Sequence, residues 1–376
     1  CSRDISEKCR TTFGNRMRLV VTKILSAIQK GDLAIALSQL GAIRQRFPEA
    51  KITTFIRRPE LDRHWFSDAD RVASELFPVS PKLSSGKRLV RLMSCIYGDY
   101  YDSTTRSFYQ ACKEADLVIF CGGASPGGYG WRNLIRNAWC PVLLARRAGV
   151  PIYFSALSVE PMGTWLSRSV TAWALNQASF ITLREVFSTK TLAELGVKTD
   201  YEVTADWAIL LHPAGTAEAK SILREEGVPF QRRQFGINLR DIRAVNPEGD
   251  ADRIDTPYLD NMKQLVKRVI GDMDADLVIF SMSCPPASND LAFADQVVAK
   301  LPGVIRKHVC LVRGDYTPSQ LKGMMGQMEM FIGTRLHPSI FAITSSVPTL
   351  TIHDHLKVEG FMKLAGMDDW HVSARR

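Results

Sequence analysis

The sequence has no C-x-x-C pair and no Cys/His spacing of the kind that holds zinc. Its eight cysteines, Cys1, Cys9, Cys95, Cys112, Cys121, Cys140, Cys284 and Cys310, are scattered. That pattern excludes a dense disulfide framework and points to no metal. It reads the thiols as reduced and mostly buried, with a cytoplasmic address. No apolar run approaches the roughly 18 residues a membrane-spanning helix needs. No signal peptide is recognisable, and since the chain starts at Cys1 without Met, an upstream segment is expected to have been lost or omitted. A dense basic run and a nucleic-acid-binding motif are both missing, so nucleic acid is not the expected partner. The G-x-G-x-x-G fingerprint of dinucleotide binding is absent as well.

What is present is a chain of 376 residues, 45% hydrophobic and 23% charged. Those proportions are globular, and the length suits two domains, each able to bury a core without staples. The net charge of +9 is spread in pairs such as Arg57-Arg58, Arg146-Arg147 and Arg232-Arg233. Scattered charge of this kind suits small phosphorylated substrates or the face of an anionic membrane.

Strands alternate with helices in both halves. The first half reads as a strand from Leu19, a helix over 31–46 with Asp32 as cap or first-turn acid, a strand over 51–56, a polar loop or short helix over 59–70 and a surface connection over 78–91. A helix over 107–114 leads to the apolar run 115–121, of the kind a buried parallel strand shows. That run ends in the glycine-rich stretch 122–130, where Gly122 and Gly123 let backbone approach a ligand closely. A helix over 133–148, strand 150–155, helix 165–177 and strand 180–183 follow, with Arg184 and Glu185 at the last strand's end. The second half reads as strand 235–240, loop 243–256, helix 258–273, strand 275–281, turn 284–290, a helix to Leu301, a strand from His308 and helix 317–327. These expectations divide the chain into a loose arm (1–18), a first domain (19–212), a linker marked by Pro213 and Gly215 (213–233) and a second domain (234–376). The fold class is α/β.

The chemistry is expected in the stretch Phe331-Ile-Gly-Thr-Arg-Leu-His-Pro-Ser-Ile. Apolar residues 330–332 meet Gly333 and Thr334, and a new apolar run begins at Ile340, so the segment reads as strand, tight turn and helix. By residue type alone, a His before a Pro is a loop residue. Its place at the carboxyl end of a strand in an open α/β sheet makes it a candidate for a ligand site. Arg335 supplies a fixed cation, the helix start supplies N–H groups for an anion, and His337 supplies a titratable imidazole.

At these residues the sequence resembles the polysaccharide pyruvyl transferase family, whose C-terminal signature appears as Gly333-Thr-Arg335-Leu-His337, Ser346-Val-Pro348, His353-Asp-His-Leu-Lys357 and Glu359-Gly360. Further matches are Gly31-Asp32 at the first long helix, the Ala115–Gly123 element, Arg184-Glu185-Val-Phe-Ser188, Asp206 and Gly236-Ile-Asn-Leu-Arg240. The chain departs from the family at His353, where relatives commonly have Tyr, at Ala156, where they have Gly, and at Gln29-Lys30, where they have Asn and glycines.

The resemblance implies two Rossmann-like doubly wound domains facing a cleft, in the manner of GT-B enzymes, with the acceptor on the first domain. It implies transfer of pyruvate from phosphoenolpyruvate, the co-substrate, to sugar hydroxyls of a polysaccharide or lipid-linked precursor, with no further cofactor. His337 is the implied catalytic residue. Arg240, Arg335, Leu336 and Lys357 are the implied phosphoenolpyruvate-binding residues. Asp32, Gly122, Gly123 and Arg184 are implied to line the cleft. A lipid-linked acceptor and peripheral contact with the inner face of a membrane suit the basic surface. Two other readings stay open: a GT-B glycosyltransferase holding a nucleotide sugar with Arg335, Lys357 and Glu359, and a non-catalytic sugar- or phosphate-binding protein of the same fold.

Overall fold

The computed structural model of the chain describes residues 17–24, 27–77, 84–98, 102–123, 135, 139–240, 251–283, 290–353 and 355–374, with backbone alone at 251–257. The chain divides into two compact units, Cys1–Ala27 with Ile35–Trp207, and Ile28–Ala34 with Ala208–Arg376.

The first unit is built on seven parallel strands, β1 (Arg18–Ile24), β2 (Lys51–Ile56), β3 (Arg71–Ser74), β4 (Leu117–Phe120), β5 (Ile152–Leu157), β6 (Phe180–Leu183) and β7 (Tyr201–Val203), in the order β3-β2-β1-β4-β5-β6-β7. Its helices are α2 (Ser85–Tyr97), α3 (Ser103–Glu114), α4 (Cys140–Ala148), α5 (Trp165–Leu175) and α6 (Phe187–Glu194), while α1 (Lys30–Arg46) begins in residues assigned to the second unit. Local chemistry sets the ends. Ser84 caps α2 by accepting the Lys87 N–H, and Gly98 stops it at φ 79°. Asp102 accepts the Thr105 N–H to start α3.

The second unit has six parallel strands, β8 (Arg233–Asn238), β9 (Ala275–Phe280), β10 (Val309–Leu311), β11 (Met330–Gly333), β12 (Thr349–His353) and β13 (His371–Ser373), ordered β10-β9-β8-β11-β12-β13. Its helices are α7 (Thr216–Glu225), α8 (Ala251–Asp272), α9 (Asp290–Ala299), α10 (Pro318–Met325), α11 (Leu336–Ile343) and α12 (Leu356–Leu364). β9, Ala-Asp-Leu-Val-Ile-Phe, is buried at all six positions, as a strand covered by helices on both faces must be. Gly236 on β8 makes room for its neighbour: a Cβ there would lie 2.6 Å from the Phe331 ring.

Both sheets are doubly wound, and each reverses its strand order once, between β1 and β4 in the first unit and between β8 and β11 in the second. In such sheets ligands bind outside the carboxyl ends of the strands at that reversal.

Several sequence expectations are corrected. The 213–233 linker is instead part of the second unit and carries α7. The Lys322 ammonium donates to the carbonyls of Ile209 and Leu211, and the Ala214 N–H donates to Ser319, which fastens this stretch to α10. The 78–91 connection contains the start of α2, and the loop expected over 243–256 is helical from Ala251. Strands β3 and β13 were not anticipated; at four and three residues, with partly exposed faces, they carry little pattern. The loose arm ends before Arg18, whose backbone N–H donates to Asp116 inside the first unit. Residues 1–16, the stretch 124–130, most of 133–138 and the turn 284–289 lie outside the described residues.

Candidate active site

The carboxyl ends of β8 and β11 carry the two arginines singled out from the sequence. The strands run in register through Ile332↔Ile237, and three residues beyond that pair come Arg335 on one strand and Arg240 on the other. Thr334 fixes the two exits together by donating from Oγ1 to the Asn238 carbonyl at 2.8 Å, while Asn238 Nδ2 donates across to the Phe280 carbonyl. Gly333 is needed because the chain turns back on itself. A Cβ there would lie 2.0 Å from Ser339 Oγ, which is occupied in donating to the Arg335 carbonyl at 2.9 Å.

Arg335 is the N-cap residue of α11, in extended conformation, with no side-chain cap on the first turn of that helix. Leu336 and His337 are its first two helical residues, so the Leu336 N–H stands at the helix start. The Arg335 guanidinium is held at one end: Nη2 donates to Asp290 Oδ1 at 2.6 Å, with Asp290 2% exposed and the arginine side chain 20% exposed. Asp290 Oδ2 in turn accepts the Met282 N–H, so β9's exit and the start of α9 together aim Arg335. Arg240 Nη2 lies 3.4 Å from His355 Nε2, and because a guanidinium only donates, that nitrogen is the accepting one.

His337 is half-buried against Gly31 at the start of α1. A Cβ on Gly31 would fall 2.0 Å from the imidazole Nδ1 and 2.2 Å from Cγ, so the missing side chain is what admits the ring. Next to it, Lys30 is ion-paired with Asp315 and its N–H donates to the Met282 carbonyl, while Gln29 Nε2 donates to Ser283. The sequence departure at Gln29-Lys30 therefore makes its own contacts within the second unit. Asp32 lies in the first turn of α1, half-buried. Lys357 lies in the first turn of α12, whose N-cap residue is His355. His353 is buried and pairs through Nε2 with His371 Nδ1 at 3.0 Å. The second unit thus brings Arg240, Arg335, Leu336 and His337 together with the exits of neighbouring strands, and Lys357 follows the exit of the next strand, β12.

The remaining candidates belong to the first unit. Arg184 is 4% exposed and committed: Nη1 donates to Asp206 Oδ2 at 2.7 Å and Nε to Ser158 Oγ at 2.7 Å. It acts there as a structural ion pair, and Glu185 accepts the N–H and hydroxyl of Ser188 at the start of α6. The close approach that Gly122 permits is taken up by β5. A Cβ on it would lie 2.7 Å from the Ser155 carbonyl, and Gly123, at φ +136°, bridges to Leu157. Ala156 adopts φ +46°.

At the exits of β1, β2 and β3 sits an ionic group that the sequence did not reveal. Arg57 Nε lies 3.4 Å from Glu75 Oε2. Burial pushes the Glu75 carboxyl up to about 7 despite Arg57, and burial together with Arg57 lowers the Lys23 ammonium to about 8. Lys23 also takes φ +62°, a conformation rare for a side chain of that kind. Asp290, Asn238 and Lys30 were missed as site neighbours, because each acts through a partner distant in sequence. Among the described residues no helix is long and apolar enough to cross a membrane, and no group of three His, Cys, Asp or Glu is placed to hold a metal.

Comparison with solved structures finds similarity to the UDP-GlcNAc 2-epimerase of Methanocaldococcus jannaschii (TM-score 0.59, 11% identity, 95% of this chain and 88% of that one). It also finds Anabaena Alr3699/HepE in complex with UDP and glucose (TM-score 0.57, 13% identity, 93% and 83%). A third is the UDP-GlcNAc 2-epimerase of Neisseria meningitidis bound to UDP-GlcNAc (TM-score 0.55, 12% identity, 90% and 83%). At these identities the likeness establishes the fold, two Rossmann-like domains of the GT-B type. The family model described as polysaccharide pyruvyl transferase matches residues 30–353, from the lysine that opens α1 to the histidine that ends β12. The chain belongs to the polysaccharide pyruvyl transferase family.

Proposed function

We propose that this transferase moves the pyruvyl group of phosphoenolpyruvate onto two hydroxyls of a sugar, forming a ketal and releasing phosphate. The observation that carries the reading is the pair of guanidiniums at matched positions beyond β8 and β11, with an imidazole two residues after the second. Phosphoenolpyruvate has a phosphate at one end and a carboxylate at the other, and a guanidinium fork suits each. The uncapped start of α11, at the Leu336 N–H, adds donors for one of the two anions, and Lys357 adds a cation.

The chemistry then needs one proton placed and one removed. Protonation of the methylene carbon makes the adjacent carbon electrophilic; a sugar hydroxyl adds there, phosphate leaves with the bridging oxygen, and a second hydroxyl closes the ketal. Of the two hydroxyl protons lost, one is balanced by the new methyl group and one by phosphate. His337 is assigned as the acid for the methylene, since an imidazole is the side chain suited to giving and taking protons near neutrality. The acceptor is a polysaccharide or its lipid-linked precursor.

The test is phosphate release from phosphoenolpyruvate across a panel of free and lipid-linked sugars. Acceptor-dependent release that is lost in folded His337→Ala supports the reading. Turnover of a nucleotide sugar with no release from phosphoenolpyruvate replaces it with the glycosyltransferase alternative.

A further inference from the structure

Helix α2 is built inside out. Its side chains packed inward are Arg91, Ser94 and Cys95, whereas Leu89, Val90, Met93, Ile96 and Tyr97 face outward, with Tyr97 68% and Leu89 59% exposed. At 100° per residue those five outward side chains fall within an arc of about 120°. Arg91 is held from both ends of its fork: it donates to the Leu76 carbonyl and pairs with Asp102 at 2.8 Å. The apolar stripe is therefore a surface feature of a well-anchored helix.

The charges carried by the helix are of one sign. The helix contains no Asp or Glu. Lys87 and Arg88, both exposed, leave its first turn on either flank of the stripe. At the other end Arg147, from the last turn of α4, donates to the Cys95 carbonyl and, at 2.7 Å, to the Ile96 carbonyl, which sets an exposed guanidinium beside the last apolar residues. An apolar arc bordered by cations at both ends matches the layering of a membrane surface, hydrocarbon beneath and anionic headgroups at the rim.

We infer that α2 docks the protein on an anionic lipid surface, with Leu89, Val90, Met93, Ile96 and Tyr97 in the acyl boundary and Lys87, Arg88 and Arg147 among the headgroups. Charge complementarity selects this occupant over a second copy of the chain, since two such helices facing each other would oppose like charges around the stripe. The inference concerns the surface alone and stands whether or not the pyruvyl transfer reading holds.

The experiment is flotation of the whole protein with vesicles of phosphatidylcholine alone and of phosphatidylcholine mixed with phosphatidylglycerol. It compares wild type with Leu89→Ser/Met93→Ser and with Lys87→Gln/Arg88→Gln, beside thermal melts and sizing by light scattering. Wild type is expected to float with the mixed vesicles. The stripe variant should lose at least about tenfold in partitioning. Each removed charge should cost roughly fivefold, and only on anionic vesicles. Every substituted side chain is exposed, so the melting temperatures should not move. Failure of wild type to float, or flotation indifferent to the stripe variant, overturns the inference. So does a wild-type dimer that the stripe variant splits, which would assign the surface to a second copy.

Discussion

Arg335→Lys keeps the charge and changes only the shape of the cation, which makes it a demanding test of how the anion site is organised. In the wild type, Asp290, 2% exposed, takes one end of the guanidinium at 2.6 Å. The planar group presents donors on more than one edge, so one guanidinium can hold Asp290 and face a phosphate or carboxylate at the same time. A lysine ammonium is a single point, and set beside Asp290 it is neutralised there, with nothing rigid left to reach the ligand. The loss is one charge-assisted contact of about 1.5–3 kcal/mol, which is roughly 10- to 150-fold in kcat/KM for phosphoenolpyruvate. Adding Asp290→Asn should return part of that loss, since the ammonium is released from its neutralising partner; the two sites couple rather than add. Steady-state kinetics on the two single variants and the double variant read this directly. Arg335→Lys within threefold of wild type, or a double variant whose losses simply add, would refute the reasoning.

Other outcomes follow from the same geometry. Gly31→Ala should lower the melting temperature, since a methyl 2.2 Å from Cγ and 2.7 Å from Cβ of His337 overpacks the site by about 1–3 kcal/mol against at most about 1 kcal/mol of helix preference. It should also cut turnover at least tenfold in the protein that remains folded, because the new methyl occupies the His337 imidazole's place. Equal activity would show that the ring's position is immaterial. Arg184→Met strands buried Asp206 and should cost about 3–5 kcal/mol in denaturant unfolding, while the folded protein binds phosphoenolpyruvate as before; a selective loss of binding would make Arg184 a ligand contact. Stability should also depend on pH at the first unit. Glu75 is raised from 4.5 to about 7, so its contribution is present below pH 4.5 and fades as pH rises through 7; Lys23 is lowered from 10.5 to about 8, so its contribution is present above 10.5 and fades as pH falls through 8. The two leave a trough near pH 7–8, each arm on the order of 3 kcal/mol. Melts of Glu75→Gln across pH should lack the acid arm, and an unchanged profile would contradict the burial of that carboxyl.

The alternation of strand and helix was legible because parallel strands covered on both faces read as unbroken apolar runs, as in Leu117–Phe120 and Ala275–Phe280. Arg240 and Arg335 were legible for a related reason: each follows such a run, so the strand's end announces the residue's place. Asp290 was not, since its partner is 45 residues away and is set by how α9 meets the exit of β11. The same holds for His371, carried by a three-residue strand whose only sign is its pairing with β12. The division of the chain was hidden too. Pro213 and Gly215 look like a boundary, but Ala214 and the carbonyls of Ile209 and Leu211 are bonded to α10, and residues 28–34 join the second unit from far upstream. Gly122 was legible as a position of close approach, though what approaches it is β5.

The central claim is that the second unit's arginines and His337 transfer a pyruvyl group, and carbon-labelled phosphoenolpyruvate tests it most directly. Incubated with the acceptor that supports phosphate release, wild type should move the label onto the sugar in an acid-labile ketal, one label for each phosphate freed, while folded His337→Ala and Arg335→Ala move none. Phosphate released without label on the sugar, or label transferred undiminished by either variant, would contradict the account.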